Sequence, residues 1–345
     1  MFAGIRLQSG ILLSFIVSAA LMPFAAHAQL TLTPAGTGDG FTLTNFVTGF
    51  PGDPTPAPNS CCGPMGVATM ANGNVLVYNT GNNSNYVFTD VNGQTASAAL
   101  NVALLPTPFF PPGATTAGGL TYENNGYGPS GSYGGAGGAL FQVNPTGTVG
   151  GTPVLSNTTT DLFTALGLAT DPANGDIISS GATGVYDITP GSFATRKITS
   201  TTGDGVSVSP DGLTGYLATG GCVQSFSIGA GALGAKFCEG SSDGTGVIDG
   251  GTFNDYIVAN NNDGTMTLID PTLTTGVQIA SGGSRGDYTG VDPTNGTLFI
   301  TQTDSVQRLS CPNCSFSAPM PEPASSLLFG VGVIGVAIFR RRRVA

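Results

Sequence analysis

Imidazole is nearly missing from this sequence. His27 is the only histidine in 345 residues, and it sits in a stretch built for removal. Residues 1–28 have the layout of a secretory signal peptide: Arg6, an apolar run over residues 11–21, then Ala26 and Ala28 at the −3 and −1 positions of a signal-peptidase cut. Cleavage after Ala28 takes His27 with it. The mature chain then has no Ser-His-Asp relay, no histidine-ligated zinc and no copper site. Any general acid or base would have to be a carboxylate or a tyrosine. No serine is read in a G-x-S-x-G elbow between a strand and a helix, so the serines are expected in turns and strands.

Tryptophan is absent and charged side chains are only 9% of the chain. The first absence removes the best platform for stacking a sugar ring. Tyr86, Tyr122, Tyr127, Tyr133 and Tyr288 are the candidates to replace it. Basic residues are scarcer still. Without Arg6 and the terminal arginines, only Arg196, Lys197, Lys236, Arg285 and Arg308 stand against nineteen acidic side chains between Asp39 and Asp304, a net charge of about −14. Nucleic acid and anionic lipid surfaces are excluded as partners of such a domain.

What is present at the C-terminal end is an ordered set of three parts. Pro321, Glu322 and Pro323 precede an apolar run over residues 324–339, and Arg340, Arg341, Arg342 and Arg343 follow it. The arginines hold that end in the cytoplasm and turn the Pro-Glu-Pro triplet outward. Sixteen residues of helix reach only about 24 Å, short for a permanent span. The arrangement resembles the PEP-CTERM sorting signal. That resemblance implies a transient inner-membrane helix, cleavage near the motif by an exosortase, and delivery to the outer envelope or the medium. The expected organisation is therefore a signal peptide (1–28), an ectodomain (29–318) and a sorting segment (319–345).

The ectodomain repeats itself. Units that open on a glycine and two or three apolar residues, then a turn and a β-rich pair, are anchored at Gly66, Gly119, Gly167, Gly205, Gly246 and Gly290, spaced about 45 residues apart. Turn pairs such as Asn72 and Gly73, Asp211 and Gly212, and Asn295 and Gly296 supply the φ > 0 positions of tight hairpins. This period predicts an all-β, six-bladed propeller, with a seventh blade as the alternative if residues 113–151 hide one. A signal helix and a transmembrane helix flank it. The last unit has room for three strands, and residues 41–50 are predicted to complete it as its outer strand. The first unit resembles an NHL-type repeat in its GP, GVA and GNV elements, and departs from it at Asn79, Thr80, Gly81 and Asn82.

No catalytic set emerges. Calcium is the one metal weighed, but residues 260–264 and 241–244 lack the alternating spacing of a calcium loop, and no cofactor is expected. Arg285, Asp287 and Tyr288, just ahead of an inner strand, are the candidate ligand mouth. The expected role is non-enzymatic binding of an exopolysaccharide or matrix protein; the competing reading is a metal-dependent hydrolase or lactonase. Cys222 and Cys238 flank a hairpin whose register, with Ile228 opposite Ala232, predicts a disulfide. Cys311 and Cys314 are predicted to form a local bridge, leaving Cys61 and Cys62 as an adjacent pair or free thiols.

Overall fold

The computed structural model describes residues 29–51, 63–105, 126–128, 131–136, 139–150, 152–156, 165–292 and 294–312. The signal peptide, the sorting segment, Cys61, Cys62 and Cys314 lie outside them. Short apolar runs cut by glycine-bearing turns fold nearly all of the described chain into antiparallel strands. Gly73, Gly212 and Gly296 take φ of 80°, 72° and 65° in the turns the sequence marked.

Blade one joins Pro64–Thr69, Val75–Asn79, Ser84–Phe88 and Asn101–Leu104. Blade two joins Gly126–Gly128, Gly131–Ala136, Ala139–Val143 and Leu155–Ser156, and blade three Ala165–Thr170, Ile177–Gly181, Gly184–Thr189 and Ala194–Thr199. Blades four and five are fused into one eight-stranded sheet through Leu233–Val247. The first part of that strand pairs with Gly221–Ser227 as the rim of blade four, and its last part pairs with Ile257–Asn261 as the inner strand of blade five. Val206–Val208 and Thr214–Thr219 complete blade four; Met266–Ile269 and Gly276–Ser281 complete blade five. Blade six is Thr289–Asp292, Thr297–Gln302 and Ser305–Ser310, closed by the N-terminal strand Thr42–Thr48 with Thr42 opposite Ser310. Successive inner strands touch around the ring, and Thr289–Asp292 returns to Pro64–Thr69. Six blades account for the described residues, and those between 126 and 151 belong to blade two rather than to a seventh.

Inner strands run from an upper face, where the blade-to-blade connections lie, to a base of hairpin turns. Their glycines are needed where backbones crowd the axis: a Cβ on Gly290 would lie 2.8 Å from the Val67 carbonyl oxygen, and one on Gly205 would collide with that of Asp243. Between blades, apolar faces interlock. Phe46, Phe88, Phe299 and Val67 fill the seam of blades six and one, and Ile178, Val206, Leu217 and Phe226 that of blades three and four. Each such side chain contributes roughly 1.5–3 kcal/mol.

Three features depart from the sequence reading. Thr31–Leu32 adds a rim strand to blade five, and Gln94–Thr95 pairs in parallel with Thr42–Thr48, so two sheet edges gain extra cover. In the blade-four hairpin, Ser227 and not Ile228 stands opposite Ala232, because the Ile228 N–H turns away to the Leu213 carbonyl. A bulge between Gln224 and Phe226 then restores the predicted register, with Cys222 opposite Cys238.

Candidate ligand-binding cleft

Three connections converge on the upper face: residues 200–205 before blade four, the bend at 240–243 inside Leu233–Val247, and residues 282–288 before blade six. The Gly205 N–H donates to the Asp243 carbonyl at 3.0 Å, and the Asp204 N–H to that of Ala218 at 2.9 Å. These bonds fix both side chains at the wall of a cleft of about 610 Å³ between blades three, four and five. Thr202, Thr219, Ser242 and Asn262 add polar groups, and four glycines expose backbone. Gly220 and Gly221, both at positive φ, shape the turn that forms one lip.

Arg285 stands beside this wall. Its Nε bonds Asp287 at 2.6 Å and a terminal nitrogen lies 3.6 Å from Asp243. One cation therefore serves three clustered carboxylates. Burial pushes the Asp243 carboxyl up to about 9; the charges of Asp204 and Asp287 add to this, and Arg285 opposes it. Burial and the crowding of the three carboxyls therefore favour the protonated form of Asp243. Burial also raises Asp287 against the pull of Arg285. Arg285 is the accessible member of the expected mouth; Asp287 is 2% exposed.

Tyr288 is 1% exposed and points across the axis, its hydroxyl donating to the Leu168 carbonyl of blade three at 3.0 Å. The ring packs the centre of the propeller, so the open volume lies off the axis. Tyr86 and Tyr133 are likewise buried and offer no stacking platform; the side chains of Tyr122 and Tyr127 are outside the described set.

The Asn-rich turn weighed for calcium is occupied with its own backbone and neighbours. Asn260 donates to the Tyr288 and Thr301 carbonyls, and Asn261 to the Thr265 and Thr267 hydroxyls. Among the described residues no group of three or more His, Cys, Asp or Glu is arranged to hold a metal ion. Residues 240–244 and 282–286 do have G-x-S-x-G spacing, but neither opens a helix, and Ser242 donates to Glu239. Cys222 and Cys238, Cα atoms 4.1 Å apart, are disulfide-bonded on blade four. Cys311 is also disulfide-bonded, to a cysteine outside the described residues.

Asp243 was weighed from the sequence only within the 241–244 calcium cluster and Asp204 was not singled out, although a signal for the cleft existed. Asp243, Gly244, Thr245, Gly246 and Val247 repeat as Asp287, Tyr288, Thr289, Gly290 and Val291 at the head of the next blade. The swap of Gly244 for Tyr288 is steric: a Cβ on Gly244 would lie 2.9 Å from the Tyr288 backbone.

This geometry defines a six-bladed β-propeller with a polar cleft on its upper face. Among solved structures, a gluconolactonase from Xanthomonas campestris is similar, with a TM-score of 0.58 at 13% identity, over 82% of this chain and 95% of its own. Regucalcin, a calcium-binding protein from Agrobacterium tumefaciens, has a TM-score of 0.52 at 14% identity, over 79% and 97%. At such identities the likeness is one of fold. No curated protein matches the chain in sequence. Residues 321–343 match the PEP-CTERM protein-sorting motif. That motif implies export, transient membrane anchoring and processing by exosortase.

Proposed function

We propose that the processed protein is a non-enzymatic binding module of the outer envelope or extracellular matrix, and that its ligand is a neutral segment of an exopolysaccharide held in the upper cleft. The carrying observation is the cleft wall, where Asp204 and the buried Asp243 stand together with Thr202, Thr219, Ser242 and Asn262. Carboxyl groups next to hydroxyls and an amide offer both donors and acceptors to a polyol. The same wall repels anions, with Arg285 already engaged by Asp243 and Asp287. The packed axis also favours this reading over a buried catalytic centre, since Tyr288 fills that position.

The test is a glycan array with purified ectodomain, followed by calorimetry on any hit. Asp243→Asn retains a donor and an acceptor and is expected to keep most of the affinity, whereas Asp243→Leu should abolish it. Chelator-sensitive turnover of lactones or phosphoesters, with no glycan bound, would replace this reading with the hydrolase one. Intact mass spectrometry tests the sorting half: the exported species should start at Gln29 and end near Pro321, and a surface form still ending in Ala345 would sink it.

A further inference from the structure

The disulfide of Cys222 and Cys238 sits directly beneath the lip of the cleft. Thr214–Thr219 climbs to the upper face, Gly220 and Gly221 turn the chain there, and Gly221–Ser227 descends. Leu233–Val247 returns alongside it as far as Cys238, opposite Cys222. The next pair in the ladder is Gly221 with Ser242, so Glu239, Gly240 and Ser241 bulge out between two adjacent rungs. This bulge lies where the chain passes from the rim of blade four to the inner strand of blade five. Gly240 lines the cleft together with Gly220, Gly221, Ser242 and Asp243.

Three glycines make the lip pliant. Gly220, Gly221 and Gly240 have φ of 58°, 74° and 96°, and glycine gains more conformational freedom on release than any other residue. A Cβ on Gly221 would lie 2.6 Å from the Gly240 carbonyl carbon, so turn and bulge stack backbone against backbone. The half-buried Glu239 carboxylate steadies the bulge, accepting from the Ser242 and Thr267 hydroxyls. Below the bridge the strands are held by apolar packing instead. Val223 and Phe226 are buried, and Phe237 packs on the cluster of Val223. Blade four therefore keeps its core whether or not the sulfurs are joined, and the lip above does not.

The two sulfurs are unequally placed. Cys238 is exposed, whereas Cys222 is buried with its sulfur 3.6 Å from the Gly220 carbonyl oxygen. A thiolate arriving from solvent meets Cys238 first. It forms a mixed disulfide there and expels Cys222 as a thiolate; a second thiol then attacks the reagent's sulfur and releases Cys238. Two electrons and two protons pass from two thiols to the bridge, and the reagent leaves as its own disulfide.

We infer that the bridge of Cys222 and Cys238 is a redox latch on the cleft: joined, it holds the 239–241 bulge and the turn at Gly220 and Gly221 in the binding-competent shape, and low-molecular-weight thiols release them without unfolding blade four. The latch rests on the reading of the cleft as the ligand site. Once it is open, Gly220, Gly221, Gly240 and Ser242 leave their fixed places in the wall. Ligand must then select the closed fraction, and apparent affinity falls in proportion to it.

Glutamate is rare enough to read the latch directly, since Glu123, Glu239 and Glu322 are the only three in the chain. A Glu-specific protease acting on the signal-processed chain reports the lip through the bond between Glu239 and Gly240, with Glu123 as the internal reference. Cys222→Ser/Cys238→Ser is expected to be cut at Glu239 several-fold faster than the oxidised parent, with cutting at Glu123 unchanged and one cooperative melt retained. The serine pair leaves the bridge at Cys311 intact, so the effect belongs to this disulfide; the parent in dithiothreitol gives the same reading without mutation. Equal rates at Glu239 overturn the inference, and so does faster cutting at both sites, because the bridge would then hold the whole domain. The cut is read without ligand, so a blank glycan array counts against the proposed ligand alone. A glycan held equally by the oxidised parent and the serine pair would refute the gating.

Discussion

Tyr288, leading into the inner strand of blade six, and Leu168, in that of blade three, stand on opposite sides of the ring, 120 residues apart, and one hydrogen bond from hydroxyl to carbonyl joins them through the centre. Tyr288→Phe removes that donor, and a loss of about 1–2 kcal/mol is expected. Tyr288→Ala leaves a void on the axis and should cost about 3–5 kcal/mol. Urea midpoints measure both. An alanine variant as stable as the parent would show that the ring does not pack the axis.

Arg308 locks the closing blade. It lies between Phe46 and Phe299, 5.0 and 4.7 Å from their centroids, and pairs with Asp90 and with the buried Asp292. Arg308→Met would leave two carboxylates facing each other without a cation, and a loss of about 3–5 kcal/mol is expected. Adding Asp292→Asn to that variant should recover part of it. A double-mutant cycle by chemical denaturation reads the coupling, and simple additivity would refute the lock.

Acidity should stabilise this domain. The unfolded reference for an aspartate is 3.8, while burial raises Asp176 to about 6, helped by Asp187, and Asp243 to about 9. Because the folded values are the higher ones, the folded state binds more protons across these windows. The stabilisation is complete below about pH 4 and lost as pH rises through 6 for Asp176 and through 9 for Asp243. Melting temperature is therefore expected to fall between pH 5 and 9.5. Asp243→Asn should flatten the upper part of that profile, and a profile unchanged by it would contradict the protonated state at neutral pH.

Reduction gives a separate handle. The Cys222 and Cys238 bridge closes a loop with a sequence separation of 16, so replacing both by serine should cost about 3 kcal/mol by the chain-entropy argument. Denaturant midpoints with and without the pair measure it, and equal midpoints would deny the bridge a stabilising role. Peptide mapping without reductant is expected to find Cys311 joined to Cys314. Gly63 sits against Thr303 on the upper face, whereas Cys311 is on the base.

Local rules made the fold legible. Gly73, Gly212 and Gly296 mark turns because few other residues adopt their φ, and Gly205 and Gly290 mark inner strands because no side chain fits there. The closing strand could be inferred from an incomplete last unit. What the sequence concealed is long-range. Nothing near Arg308 in the chain announces Asp90, 218 positions away. Likewise, the Thr31–Leu32 and Gln94–Thr95 additions are too short to carry a periodic signal. The cleft was half visible: Arg285 and Asp287 stand out as a charged pair before a strand, but Asp204 comes beside them only when blades four and six are brought round blade five. Tyr288 was misleading for the same reason, since only closure of the ring shows that it faces another blade and not solvent.

The pairing of Thr42 with Ser310, 268 residues apart, sets a timetable for the whole molecule. Thr42–Thr48 crosses early and finds only the short Gln94–Thr95 on one side, so the edge that Ser305–Ser310 will cover must wait unpaired until the last blade has crossed. Ring closure is then a late, high-contact-order event with a large loop entropy against it, and a chain interrupted before Ser305–Ser310 leaves that edge of Thr42–Thr48 uncovered.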